Sequence, residues 1–501
     1  MDKGGIVLPR KLPIFYSALL LTGVNLLLRF VSTSFQVYIS GKIGAAGVGL
    51  LQLVLSVGAM AMTLGVAGIR TTTMYLSAEE LGKKRPENVR PILSGCFIYS
   101  IVCSGFVALG LYFGAPFLAE NWIGDSGTIW AIRVYAAFLP VSCLCGVMTG
   151  YFTAANRIGT LAAVEVAEQL LSMVCTMLLL IFWAGQSPAR ACQAIILGNG
   201  ISMCMTLMCL VVLRARERPP TGPQIPVRQR LLSAAVPLAL ADDLKAGIST
   251  TENLMVPKRL ALYSGVDDPL AAFGTVCGMV FPVLMFPAAI LYGLAELLIP
   301  ELARCAAAGS RQRIQYLSKQ SLRVALIYGC FFGAMEFLLA KELCEKLYGD
   351  PDIGTVLRLY ALLIPMLYCD AITDAMIKGL GQQKASVRYN IMTSSMDVLF
   401  LFLLLPRYGM HGYFFSFLVT HLINFGLSIR RLLKIVGNVI SLKTPLLALG
   451  GAAAAVWIVM GLPSPILRCG AFLIVFICLL FLLQVLQKED LSWLKGLVIK
   501  K

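Results

Sequence analysis

The chain has 501 residues, of which 58% are hydrophobic and only 14% charged, with a mean hydropathy of +0.81. A water-soluble protein of this length needs far more polar surface to cover its cores, so composition points to an integral membrane protein. The net charge of +16 is divided among short loops rather than gathered on one domain, which argues against nucleic-acid binding and for contact with anionic lipid headgroups.

Windows of about 20 apolar residues, enough to span a bilayer as a helix, recur along the whole chain. The first begins near Leu12 and is not followed by a small-residue cleavage site, so it reads as a first span rather than a cleaved signal. Polar breaks between apolar runs predict fourteen helices, over residues 13–40, 45–77, 91–117, 129–154, 159–184, 191–214, 231–262, 270–300, 320–342, 354–379, 385–406, 411–434, 444–462 and 464–487. The expected fold class is all-α and polytopic. Lys and Arg concentrate in alternate loops: the N-terminus (Lys3, Arg10, Lys11), EELGKKRPENVR, NRIG, RARERPPTGPQIPVRQR, the 301–319 loop, KGLGQQKASVR, IRRLLKIVGNVISLK and the C-terminal tail. The positive-inside bias puts these loops and both termini in the cytoplasm.

Residues 131–140, AIRVYAAFLP, and 356–365, VLRLYALLIP, share R-x-Y-A-x-x-x-P at an offset of 225 residues. The copies open spans 4 and 10, six spans apart and in the same direction, as in a parallel repeat. Two six-helix lobes follow, 1–214 and 231–436, joined by the basic linker 215–230 and expected to enclose a central cleft. Residues 437–501 add spans 13 and 14 and a tail. Arg133 and Arg358 read as interfacial anchors at the outer ends of spans 4 and 10.

Most of the fifteen cysteines sit inside apolar runs and read as free thiols acting as small hydrophobes. Cys143-Leu-Cys145 lacks metal-ligand spacing, and the only histidines are His411 and His421, so no metal site is expected. No GxxxxGK[ST], HExxH or GxSxG motif occurs, which speaks against ATP hydrolysis, covalent catalysis and a cofactor. Active transport would then draw on an ion, potential or substrate gradient.

Ionisable residues inside spans are functional candidates, because their burial must be offset by a partner or water. Arg29 interrupts span 1, with Asn25 one turn before it; it either lines the cleft or pairs with a carboxylate of another helix. Arg70 ends span 2, as a cleft cation or a snorkelling residue. Span 7, ALADDLKAGISTTENLMVPKRL, carries Asp242, Lys245, Glu252 and Asn253, as a cavity lining or a helix-packing network. Glu165 and Glu168 share a face of span 5, and Glu296, Glu336, Asp370, Asp374 and Asp397 lie in later spans. Asp374 reads as a surface residue; the others suit ion coupling or structural pairing.

Several stretches resemble one family. LLLRFVSTSFQVYISGKIGAAGVGLLQL, GYFTAANRIGTLAAVEVAEQLLSMV, IPELARCAAAG, KGLGQQKASVRYNIM and PRYGMHGYFFSFLVTHL occur in the order found in polysaccharide-biosynthesis exporters of the multidrug/oligosaccharidyl-lipid/polysaccharide (MOP) superfamily. The resemblance covers roughly residues 10–435 and is to the stage V sporulation protein B-like family, related to the lipid II flippases. It implies a bacterial cell-membrane flippase for an undecaprenyl-pyrophosphate-linked glycan, plausible for the peptidoglycan precursor and for sporulation. Membrane lipids and cell-wall synthases are the partners this implies. By motif position, Arg29 and Arg70 match cleft arginines that bind pyrophosphate, a task suited to a permanently charged, bidentate fork. Where such flippases often carry a second Arg six residues later, this chain has Phe35. Two other readings stay open: a cation-coupled multidrug exporter with a carboxylate site around Glu165 and Glu168, and a non-transporting scaffold of envelope or spore assembly.

Overall fold

The computed structural model of the chain describes residues 14–66, 68–83, 85–185, 187–216, 227–437 and 443–485. The basic N-terminus, most of the linker 215–230, the segment 438–442 and the C-terminal tail lie outside the described residues, as does the side chain of Asn25. Every regular element described is helical. The first half runs α1 (Ile14–Val66), α2 (Ile69–Gly82), α3 (Val89–Phe117), α4 (Ile129–Ala154), α5 (Ile158–Leu179) and α6 (Pro188–Ala215). There follow α7 (Val227–Leu260), α8 (Pro269–Gly274), α9 (Phe281–Leu284), α10 (Ala288–Ala307) and α11 (Arg311–Tyr348). The chain continues through α12 (Ile353–Ala361), α13 (Ile364–Gly379), α14 (Gln383–Val436), α15 (Lys443–Val459) and α16 (Pro465–Leu482).

Each of the fourteen expected passes falls on one or more of these helices. Eight of those described are long and apolar enough to cross a bilayer, and two bent pairs, the segment from α8 to α10 and α12 with α13, each complete one more crossing. Helices α1 and α14 each hold two passes, because the backbone breaks at Gly44 and Gly409. The expected passes over 231–262 and 444–462 fall on α7, which is too polar to be counted with those ten, and on the shorter apolar α15 of 17 residues. At Gly409 the backbone takes φ 56° and ψ −138°, a conformation a Cβ forbids.

The duplication read from R-x-Y-A-x-x-x-P is also written in the backbone. Gly185, between α5 and α6, has φ 54° and ψ −138°, the conformation of Gly409, which lies 224 positions later. Gly124 and Gly349 both have positive φ and are 225 residues apart; so are Asn156 and Gly381. Turns that need the left-handed region thus recur at the repeat distance. The motif arginines hold equivalent places. Arg133 lies over the rings of Tyr112 and Trp130 at 5.1 and 5.3 Å. Arg358 donates from Nε to the Phe337 carbonyl at 3.1 Å and lies 5.7 Å from its ring. Each pins its span to the one before it, α4 to α3 and α12 to α11. The motif prolines differ: Pro140 sits inside continuous α4, whereas Pro365 opens α13 after a 52° bend.

Contacts divide the chain into two compact units, Met1–Gly278 and Met279–Lys501. Compactness and duplication therefore divide the chain at different places. In the first unit, α7 and α8 pack on α1: a Cβ on Gly274 would overlap the Ala45 carbonyl, and one on Gly49 the Leu270 carbonyl. Its principal core joins Ile69, Ile92, Val147, Phe152 and Leu210 with Leu231 of α7. In the second unit, α15 and α16 dock on α11 through Phe331, Phe472 and Phe476. Arg468 binds Glu342 at 2.7 Å there, and Arg323 reaches the Val485 carbonyl. All fifteen cysteines are free thiols.

Candidate functional site

Two cavities lie within the first unit. The smaller, about 380 Å³, is lined by Arg70, Glu165, Glu168, Thr149 and Thr206 among apolar residues. The larger, about 460 Å³, is lined by Gln36, Tyr135, Phe138, Gln169, Ser172, Asn199 and Ser202, again with apolar neighbours. Met62, Ser142, Glu168 and Met203 border both. Helical register explains the arrangement. Along α4 the lining runs Tyr135, Phe138, Ser142, Cys145 and Thr149, at spacings of three and four that keep one face inward. From Tyr135 to Thr149 the rise of 1.5 Å per residue gives a polar trough about 21 Å long. Arg70 and Glu165 lie at one end, most of the neutral amides and hydroxyls at the other, and Glu168 borders both.

Arg70 reaches this trough from the first turn of α2, just after the α1–α2 break at left-handed Gly68. Close packing of α2 on α4 positions it: a Cβ on Gly150 would lie 2.5 Å from the Arg70 carbonyl oxygen. Glu165 and Glu168, three apart on α5, face the same cavity. A guanidinium and two carboxylates in one partly enclosed space interact far more strongly than they would in bulk water. The arrangement can hold a phosphate on the arginine, or a cation or proton on the carboxylates.

The other candidate residues are placed elsewhere. Arg29 is exposed on the first half of α1 and borders neither cavity. On α7, Asp242 and Lys245 are exposed and Glu252 is half-buried. Asn253 donates from Nδ2 to Ser56 Oγ at 2.9 Å, and Thr250 Oγ1 donates to the Ser56 carbonyl at 3.1 Å. These bonds staple α7 to α1, the packing role weighed for that segment. Asp370 of α13 accepts from Asn424 Nδ2 at 3.1 Å. Asp397 accepts hydrogen bonds from Ser416 and Thr420 across the Gly409 break. Among the described residues, no three His, Cys, Asp or Glu side chains gather as metal ligands would.

The structure thus brings together Arg70, Glu165 and Glu168, which come from helices far apart in sequence. It adds residues that the sequence reading did not single out as site candidates: Gln36, Tyr135, Phe138, Ser172, Asn199 and Ser202. Tyr135 and Phe138 lie within the repeated R-x-Y-A-x-x-x-P window, and the others show only polarity at helical spacing, as in Ser32–Gln36 or Asn199–Ser202.

No family model matches the chain. It is 23% identical over 407 residues to stage V sporulation protein B of Bacillus subtilis (strain 168), covering 78% of this chain and 77% of that protein. Among solved structures it is similar to the lipid II flippase MurJ in an inward closed conformation, with TM-score 0.68, 10% identity, and 92% of this chain and 98% of that one covered. It is also similar to an inward-facing multidrug resistance MATE family transporter of the MOP superfamily, with TM-score 0.66, 14% identity, and 84% and 98% covered.

Proposed function

We propose, from its similarity to stage V sporulation protein B and to solved structures of the MOP superfamily and of a lipid II flippase, that the chain is a lipid-linked oligosaccharide flippase of that superfamily. It moves an undecaprenyl-pyrophosphate-linked glycan, of the peptidoglycan-precursor class, from the cytoplasmic to the outer leaflet of a bacterial cell membrane by alternating access. Both termini face the cytoplasm, on the side of the basic loops. A cell-wall synthase acting on the delivered glycan is the partner this implies.

The observation that carries this reading is the number of passes. Helices α15 and α16 extend the duplicated twelve to fourteen and are packed on α11. The similarity to the lipid II flippase covers 92% of the chain, against 84% for the multidrug transporter. In this reading Arg70, with Arg29 and Lys245 as further cations, engages pyrophosphate oxygens, for which a guanidinium fork is well matched. Asn25, Glu252 and Asn253 contribute polar contacts, and Asp242, Asp370 and Asp397 support ion coupling or pairing. The duplicated lobes remain 1–214 and 231–436 in this account, with 215–230 as their linker.

The test is movement of labelled lipid II across liposomes containing the purified protein. Arg70→Ala should lower the rate at least tenfold while membrane insertion and unfolding temperature stay unchanged. Unchanged transport in Arg70→Ala and Arg29→Ala would remove the phosphate clamp.

One observation favours a second reading, a cation-coupled multidrug exporter: Glu165 and Glu168 share a cavity inside the first unit. Dye efflux that Glu165→Gln and Glu168→Gln abolish, without any movement of lipid II, would establish it instead.

A further inference from the structure

We infer that the larger chamber of the first unit is a binding subsite for an uncharged amino-sugar group, next to the chamber that holds Arg70 and sharing Glu168 with it. The inference rests on the flippase reading for the source of that sugar. Its chemistry stands on the lining.

No Lys or Arg borders the chamber, so a phosphate has nothing there to neutralise it. What borders it is a set of amides and hydroxyls in complementary orientations, with one carboxylate, Glu168, shared with the neighbouring chamber as a further acceptor for sugar hydroxyls. Ser172 donates to the Asn199 side-chain carbonyl, which leaves the Asn199 amide N–H groups as donors. Gln36 donates from Nε2 to the Gly278 carbonyl at 3.3 Å, which leaves its side-chain oxygen as an acceptor. Gln169 supplies both functions. Such a set matches hydroxyl and acetamido groups, which carry donors and acceptors but no charge. Tyr135 and Phe138 add aromatic surface, as sugar-ring C–H faces require. Their rings are held by close glycine contacts: a Cβ on Gly58 would lie 2.5 Å from the Tyr135 ring, and one on Gly200 would overlap the Phe138 ring. The volume, about 460 Å³, falls in the range of roughly 300–1,000 Å³ usual for small-ligand sites.

The duplication argues that this space is not a by-product of the fold. Tyr135 corresponds, at the repeat distance, to Tyr360. Tyr360 is only 1% exposed and packs edge-on against Phe281, Phe414 and Phe417. The second copy fills the equivalent position with aromatic side chains; the first keeps it open and lines it with polar side chains.

The experiment titrates the purified full-length protein in detergent with N,N′-diacetylchitobiose, an uncharged amino-sugar disaccharide. Tetraphenylphosphonium, an organic cation, serves as the comparison probe. The expected result is saturable disaccharide binding that Asn199→Leu weakens at least fivefold, about what one lost neutral hydrogen bond removes. Gln169→Leu should do the same and covers the case in which Asn199→Leu fails to fold. Unfolding temperatures identify which variants are folded. Absence of saturable disaccharide binding by the wild type overturns the inference, whether or not the organic cation binds. So does binding that neither folded variant changes. Lipid II movement, scored separately, keeps the two ideas apart. Disaccharide binding without lipid movement sinks the flippase reading and leaves the subsite, and the reverse result sinks only the subsite.

Discussion

Asp397 is 7% exposed and takes hydrogen bonds from Ser416 and Thr420, while Thr420 also bonds the Ser416 carbonyl on its own helix. A buried carboxylate costs stability unless donors surround it, and these hydroxyls supply them from the pass beyond the Gly409 break. Asp397→Ala should therefore lower stability by about 1.5–3 kcal/mol, the usual size of hydrogen bonds to a charged group. Asp397→Asn, which keeps an acceptor oxygen, should lose less. Thermal unfolding in detergent checks both, and equal stability of Asp397→Ala and wild type would remove the staple. The sequence makes Asp397 conspicuous but does not name its partners, because they sit 19 and 23 residues on and face it only after the chain reverses. Arg70 and Glu165 pose the same difficulty over a longer separation. An intramembrane charge is legible at once, whereas the group that meets it depends on helix packing.

At the scale of the element, passes were legible and their joins were not. Spans read as 13–40 and 45–77 form one element, α1, broken at Gly44 and followed by α2. Spans 8 and 10 are each bent, by 65° and 52°. Apolar length is a local property, but a bend depends on what presses against the helix. Pro365 packs on Gly329 and Gly333 of α11, where a Cβ would come within 2.8 Å of its Cα at Gly329 and 3.4 Å of its Cδ at Gly333, and it marks a bend that Pro140 does not. Two predictions belong here. Gly409→Ala puts a Cβ on φ 56° and should cost about 1–3 kcal/mol, whereas Gly450→Ala, in open space within α15, should be neutral or stabilising. Unfolding temperatures of the pair decide it; equal values would mean that the Gly409 backbone imposes no strain. Gly150→Ala should push α2 from α4 and shift Arg70 while leaving its charge intact. Lipid II movement should then fall severalfold, and the overpacking should cost about 1–3 kcal/mol of stability. Unaltered movement would mean that the exact seat of α2 does not matter for transport.

For the whole molecule, the duplication is the feature the sequence states most directly, because a tight turn leaves a glycine behind and a motif leaves its arginine. The division into compact units is not stated there: the polar linker lies at 215–230, but α7 and α8 pack with the first six passes because small residues let the backbones touch. The C-terminal pair is a further case. Its sequence announces only apolarity, yet α15 and α16 bury Phe472 and Phe476 against α11, and α16 places Arg468 on Glu342. If the pair is an integral part of the second unit, ending the chain at Gly437 strips α11 of that aromatic contact and leaves Glu342 without its cation. Loss of one large buried aromatic typically costs about 3–5 kcal/mol, so Phe472→Ala alone should lower the unfolding temperature clearly, and the truncation should lower it further. Membrane insertion should survive both, since every other apolar span remains. Monodispersity by size exclusion and unfolding temperature are the readouts. A truncated chain as stable as the full one would make α15 and α16 an appendage, and would remove the fourteen-pass argument on which the flippase reading rests.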